Sequence, residues 1–445
     1  MTTSGNARLR DDAVRPLRTL DPAAPLGDLK WLDDAIGNAR VVAIGEPAHF
    51  NHEFYRLRHR LLRYLVERHG FGAYAMESGF TEGWLVDGWV RGGEDRLGRV
   101  LATGMTSLMG MCTEMRDQLN WMRQHNLESA RPVGFYGADL SGSNISLLPS
   151  LDAVLAYLTR ADPDIAVDPA IRETAAAFAA PSIFSLATAI GAYTELEPAR
   201  RDALTAGLTR LSTRLVARRL DYVRRTGTAD YERALHALRL TITLDAVVRA
   251  MTRGDQQDVA NFRDAAMADT VDWILRREDR MVLAAHNGHL QRYPLTMPGI
   301  PTATPLGMHL ADRLGDDYLV IGATTATGRT LNTGNDFHTG TFFTDLQPPE
   351  TGSLDALMSA THDGPFAIDL RTLSPEDSAA VGATTRYRMG NWYLDVNPVQ
   401  AFDIVIHLPS ATPAEPDPEA IAEAPQEVQQ PFSAWRARRD GRHIA

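Results

Sequence analysis

The stretch Val41-Val42-Ala43-Ile44-Gly45-Glu46-Pro47-Ala48-His49-Phe50-Asn51-His52-Glu53 decides how the fold is read. It opens on a compact apolar run rich in β-branched residues and stops at a glycine, which favours a short buried strand over a helical turn. An acid, a proline and a histidine follow, and from Phe54 to about Arg68 apolar residues recur at helical spacing. Strand, polar turn and helix make the first half of a βα unit.

Similar runs recur along the chain, each ending in polar residues. They are Ala73-Tyr74-Ala75-Met76 before Glu77, Val133-Gly134-Phe135-Tyr136 before Gly137-Ala138-Asp139, and Met281-Val282-Leu283-Ala284-Ala285 before His286. Later strand candidates span 318–322, 366–370 and 402–408. Helical patterns separate the earliest runs, so the expected class is α/β, a mostly parallel sheet with helices on its faces. Residues 145–277 break this rhythm: 199–225 and 231–251 carry apolar residues at helical spacing with few strand signals, which predicts a large helical insertion beside the sheet. The expected organisation is a loosely ordered lead-in (1–27) and a first core part (28–144), which opens on a short helix capped by Asp28. The insertion (145–277), a second core part (278–410) and a Pro-, Ala- and Glu-rich tail (411–445) follow. The tail reads as flexible, or docked only through Phe432 and Trp435.

Composition narrows the function. The chain has 445 residues, a formal charge of −11, 44% hydrophobic and 23% charged residues, the profile of an ordinary soluble protein. Its acidic balance argues against nucleic acid as a partner. No apolar run approaches the ~18 residues of a membrane span, and the polar, Arg-dotted residues 1–20 do not read as a signal peptide. A cytoplasmic protein, monomeric or weakly dimeric, that acts on a small molecule is the expectation. Cys112 is the only cysteine, which excludes an internal disulfide, and its apolar setting reads as a buried small hydrophobe. Lys30 is the only lysine.

Ligands of parallel sheets bind beyond the carboxyl ends of the strands. Glu46, Glu77, Asp139 and His286 stand there, so carboxylates and an imidazole converge. On the helix after the first strand, Phe54, Tyr55, Leu57, Leu61, Leu62, Tyr64, Leu65 and Val66 form the apolar arc; Arg56, His59, Arg60, Arg63 and Glu67 form the opposite face. Arg58 falls inside the apolar arc, where a guanidinium costs several kcal/mol unless a carboxylate accepts its hydrogen bonds. Glu46 and Glu77 are the nearest partners. His49, in the strand-to-helix loop beside a carboxylate, suits a general base. The run His286-Asn287-Gly288-His289 supplies a second imidazole pair; with Glu46, Glu77 or His49 it meets the needs of zinc, yet no zinc-protease histidine motif is present, and the reading adopted is metal-free and cofactor-free. There is no Gly-X-Ser-X-Gly elbow around Ser78 or Ser141, and Trp89-Val90-Arg91-Gly92-Gly93 does not have the frame of a phosphate loop. Water activated by histidine and carboxylates is left as the chemistry.

Several ordered motifs resemble the erythromycin esterase family: Gly45-Glu46-X-X-His49 with Glu53-Phe54, Arg58 and Leu65; Glu77 with Gly79-Phe80-X-Glu82-Gly83; Phe135-Tyr136-Gly137-X-Asp139; Asn261-Phe262-Arg263-Asp264-X-X-Met267-Ala268; and Ala285-His286-Asn287-X-His289. The resemblance covers about 28–325 and continues more weakly to about 410. It implies a three-layer α/β core with a helical subdomain, and hydrolysis of a macrolide lactone without a cofactor. Carried onto this sequence, His49 is the base, Glu46 orients it, and Arg58 and Glu77 complete the buried charged cluster. His286 polarises or protonates the ester, and Arg58 or protonated His286 stabilises the oxyanion. His289, Asp139 and Asn287 are expected to contact substrate. The expected function is cleavage of an ester or macrolactone of a polyketide-type substrate. The alternative is a natural-product tailoring enzyme catalysing acyl transfer, elimination or cyclisation on the same scaffold.

Overall fold

Val41–Glu46 is a strand buried at every position, and its neighbours organise the molecule. In the computed structural model, which describes residues 8–297 and 300–439, it lies in a nine-stranded sheet. Parts of the lead-in (1–7) and of the Arg-rich end of the tail (440–445) lie outside the described residues. Across the sheet the strands run Arg15–Pro16, Phe366–Asp369, Ile404–Ala411, Tyr318–Leu331, Val41–Glu46, Met281–His286, Ala73–Gly79 and Gly134–Asp139; the ninth, Phe343–Asp345, pairs with Tyr318–Leu331. From Ile404–Ala411 to Gly134–Asp139 all neighbours are parallel, and the antiparallel pairs lie at one edge and on the extension formed by Phe343–Asp345.

The strands alternate between two cores, as two-sided burial requires. Val41, Ala43, Ala73, Ala75, Met281 and Leu283 face one core, which contains the apolar residues of the helical insertion. Val42, Ile44, Tyr74, Met76, Val282 and Ala284 face the other, built with the helices His52–His69 and Thr113–Glu128. Three layers result. Between Asp139 and Met281 the chain forms helices and turns but no strand, the longest helix being Thr228–Arg253.

Three expectations differ from the structure. Within the lead-in, Arg15–Pro16 joins the sheet edge, and the segment leading into the core packs on the helix His52–His69. The reason is charge: Asp28 accepts from Arg60 at 2.6 and 3.0 Å, Pro25 O accepts from Arg60 at 2.7 Å, and Asp21 accepts from Arg56 at 2.8 Å. Arg60, on the face opposite the apolar arc, is therefore buried; His59, on the same face, is buried against the Trp121 ring at 5.6 Å. The tail is also ordered as far as it is described: Pro418–Glu423 and Gln426–Arg439 are helices, and Ala420, Ile421, Val428 and Trp435 are buried. Third, a four-stranded antiparallel sheet, unforeseen in the sequence, joins Arg386–Met389, Trp392–Asp395, Leu295–Met297 and Ile300–Ala303. No described helix is long and apolar enough to cross a membrane.

Candidate active site

Strand register sets the site. Glu46 pairs with His286 across the central strands, and Glu77 lies near the carboxyl end of the strand Ala73–Gly79 on the far side of His286. Close approach here requires Gly45, because a Cβ would sit 2.1 Å from Asn287 Oδ1. Asn287 is a clamp rather than a ligand group: buried, it accepts from Ala323 N at 3.1 Å and donates to Ala323 O at 2.7 Å. Both ends of its amide are thereby used within the sheet.

One charged chain starts at Arg58. The sequence requires a carboxylate partner for it, and the structure supplies Glu46, whose Oε2 lies 3.3 Å from Arg58 Nη1. The guanidinium is buried over the Tyr55 ring at 4.4 Å and does not reach the cleft. Glu46 Oε1 lies 2.7 Å from His49 Nδ1. Burial raises the Glu46 pKa, but Arg58 and the hydrogen bond from His49 outweigh it and hold the carboxyl below its ordinary range. An ionised carboxylate only accepts, so neutral His49 carries its proton on Nδ1 and presents a lone pair at Nε2. Nε2 has no protein hydrogen bond; Glu77 Oε1 is 3.8 Å away. Burial lowers the His49 pKa, and Glu77 and Glu46 more than reverse this, so it stands above the usual histidine value.

A second network is centred on Glu77. Its Oε1 accepts from Arg263 Nη2 at 2.8 Å and lies 3.2 Å from His289 Nε2, while Oε2 accepts from the backbone N–H of His286 at 2.8 Å. Arg263 also makes a forked pair with Asp139 at 2.6 to 3.2 Å. His289 Nδ1 lies 2.7 Å from Asp264, and although burial opposes its charge, Asp264 and Glu77 push its pKa up to about 10. His289 is therefore an imidazolium at neutral pH, and its 3.2 Å approach to Arg263 Nη1 is a contact between two donors. Glu77 stays well below the carboxylate range despite burial, because His289, His49 and Arg263 surround it.

His286 is the opposite case. Gly288 N donates to its Nδ1 and its Nε2 donates to Pro47 O, both at 3.0 Å. Burial and the charge of His49 push its pKa down to about 4, so it is neutral with both nitrogens engaged by backbone. A neutral imidazole held on both nitrogens by backbone differs from the polarising or protonating group that the resemblance implies.

These groups open into a cleft of about 460 Å³ lined by His49, Glu77, Arg263, His286 and His289 and covered by Trp392. Glu46, Arg58, Asp139 and Asn287 stand behind its wall; Asp139, expected to touch substrate, is buried against Arg263. No three described His, Cys, Asp or Glu side chains converge as metal ligands.

Two groups were missed by sequence reasoning. Arg263-Asp264 sits within a motif of the resemblance but received no role; the signal was an ion-pairing dipeptide on the helix Gln256–Leu275, whose Ala266, Met267, Ala268 and Val271 are buried. The hairpin 386–395 was signalled by Gly390-Asn391 between aromatic, strand-like runs. Gly390 has φ +58, as a tight hairpin turn requires, and its N–H donates to Pro47 O at 2.9 Å, tying the cover to the His49 loop.

Erythromycin esterase type II of Escherichia coli is 29% identical over 417 residues, covering 90% of this chain and 96% of that protein. Erythromycin esterase type I of Escherichia coli is 30% identical over 300 residues, covering 64% of this chain and 70% of that one. The solved structure of an erythromycin esterase mutant in its open conformation superposes with a TM-score of 0.72 at 24% identity, over 89% of this chain and 98% of that one. The sequence model of the erythromycin esterase family matches residues 66–411, and the chain belongs to that family.

Proposed function

We propose that this esterase-like hydrolase cleaves a macrolactone or related ester of a polyketide-type substrate, using water activated at His49. The observation that carries the reading is the polarity of one imidazole: Nδ1 is bound to an ionised, arginine-backed carboxylate, and Nε2 faces the cleft without a protein hydrogen bond. In the proposed step Nε2 takes a proton from water as the water oxygen bonds to the ester carbonyl carbon. The imidazolium that forms lies between Glu46 and Glu77. The new oxyanion forms beside Arg263 and the His289 imidazolium, the two cations that line the cleft, rather than beside buried Arg58 or neutral His286. Collapse breaks the carbon–alkoxy bond, and His49 returns its proton to the leaving oxygen.

Family membership supports ester hydrolysis, and the cleft is large enough for a drug-sized ring. A macrolide substrate would make antibiotic resistance the biological role. The test is His49→Asn, which keeps an amide near Glu46 but removes the base. Macrolide ring opening should fall by about 10²–10⁴-fold with an unchanged thermal midpoint. Activity within threefold of the parent would overturn the assignment.

A further inference from the structure

Two carboxylate–imidazole pairs serve the cleft, and they differ in what stands behind the carboxylate. Behind Glu46 is the Arg58 guanidinium at 3.3 Å, which offsets part of the charge that faces His49. Behind Asp264 is a backbone N–H: its Oδ2 accepts from Leu306 N at 2.9 Å, while its Oδ1 lies 2.7 Å from His289 Nδ1. Among the described residues no arginine pairs with Asp264, because Arg263, its chain neighbour, turns its guanidinium to Asp139 and Glu77.

The Asp264 carboxylate is fixed on two sides. It is 3% exposed, on the helix Gln256–Leu275, and Asn261 on the same helix accepts from Thr304 N at 2.8 Å. Asn261 and Asp264 together clamp the start of the helix Leu306–Leu314, whose first N–H groups have no partner within the helix. A negative group is favoured at that end of a helix. The clamp fixes the carboxylate, and the carboxylate fixes the ring: with Nδ1 committed to Asp264, Nε2 stands 3.2 Å from Glu77 Oε1, and the ring lines the cleft.

We propose that Asp264 is a positioning residue for the hydrolysis, orienting His289 and holding it as a charged N–H donor beside the oxyanion as that group forms. The inference rests on the hydrolase reading above. The other groups that face His289 are Glu77, which favours its charge, Arg263, which opposes it, and the His49 and His286 rings, whose own protonation it opposes. Of the groups that favour the charge, Asp264 acts most strongly.

The experiment compares Asp264→Asn and Asp264→Glu with the parent in the pH dependence of kcat/KM for macrolide ring opening. In parallel, NMR of protein with labelled histidine follows the His289 ring through pH, its resonances assigned with His289→Gln. The parent should keep its activity until pH nears 10, the pKa of His289, and lose it above. In Asp264→Asn the alkaline limb and the ring titration should move down together, so that kcat/KM at about pH 9 falls roughly tenfold or more below the parent. Asp264→Glu, which keeps the charge, should return both toward the parent. A loss of activity by the same factor at every pH, with the ring titration unmoved, would make Asp264 structural and overturn the proposal. A ring titration that moves while the kinetic limb stays would also overturn it, and either result leaves the hydrolase reading intact. Should Asp264→Asn fail to fold, the parent still decides: a His289 ring neutral at about pH 8 would overturn the proposal. A ring titration that drops in Asp264→Asn and recovers in Asp264→Glu, in a protein that opens no ester, would support the pairing and overturn the hydrolase reading.

Discussion

Arg58 shows what one residue on the unexpected face of a helix implies. A guanidinium in an apolar arc demands a buried anion, and Glu46 is that anion at 3.3 Å. Arg58→Met, which keeps the bulk and removes the charge, leaves the Glu46 carboxylate in the interior with less compensation. Urea denaturation should show a loss of about 3–5 kcal/mol; a change under 1 kcal/mol would mean that the pair is not coupled to stability. The pH profile tests the next residue in the chain. His49 must be neutral to act as base, and its pKa is raised by Glu77 and Glu46 against burial. The acid limb of kcat/KM should therefore have its midpoint above 6.5, the ordinary histidine value, with activity rising as pH rises through it. Activity falling across that range would make His49 an acid instead. Arg58 and His49 were legible because each is anomalous or exposed in its own sequence neighbourhood. The neutral tautomer of His286 was not, since it depends on Pro47 O and Gly288 N, groups every residue carries.

At the scale of elements, the strand–loop–helix unit beginning at Val41 could be read from one segment, because burial on both faces of a parallel strand leaves a short continuous apolar run. The hairpin 386–395 was passed over because its residues alternate over only four positions per strand. Its consequence for function is direct: Trp392 covers the cleft while remaining 53% exposed. Trp392→Ala should raise KM several-fold with little change in kcat, as expected for a contact made equally in ground and transition states. Steady-state kinetics check this, and a fall confined to kcat would contradict it. Asn287 makes the reverse point. Sequence position beside His286 suggested substrate contact, but in the structure its amide joins two strands through Ala323. Asn287→Ala should therefore cost about 1–3 kcal/mol of stability through unpaired buried groups. Its effect on KM, measured at a temperature low enough to keep the variant folded, should be small.

For the whole molecule, an α/β class with a mostly parallel sheet and a helical insertion was legible from periodicity, and the three-layer core was what the resemblance implied. What composition concealed was the docking of both chain ends. The lead-in is held by carboxylates matched to Arg56 and Arg60, and the tail by aromatic packing, neither of which leaves a periodic signature. The charged network at the sheet edge also links pH to global stability. His289 has a folded pKa near 10 against an ordinary 6.5, so its contribution is complete below about 6.5 and disappears as pH rises through about 10. His286, near 4, works the other way: its contribution is present above 6.5 and is lost as pH falls toward 4. The thermal midpoint should decline at both ends, and His289→Gln should abolish the alkaline decline. The central claim, that water bonded at His49 attacks an ester carbon, is tested most directly by mass spectrometry of the product formed in oxygen-18 water. A macrolactone opened by the parent protein should gain one water whose heavy oxygen sits in the new carboxylate, and His49→Asn should form that product about 10²–10⁴-fold more slowly. A product without added mass, or the label in the alcohol rather than the carboxylate, would contradict it.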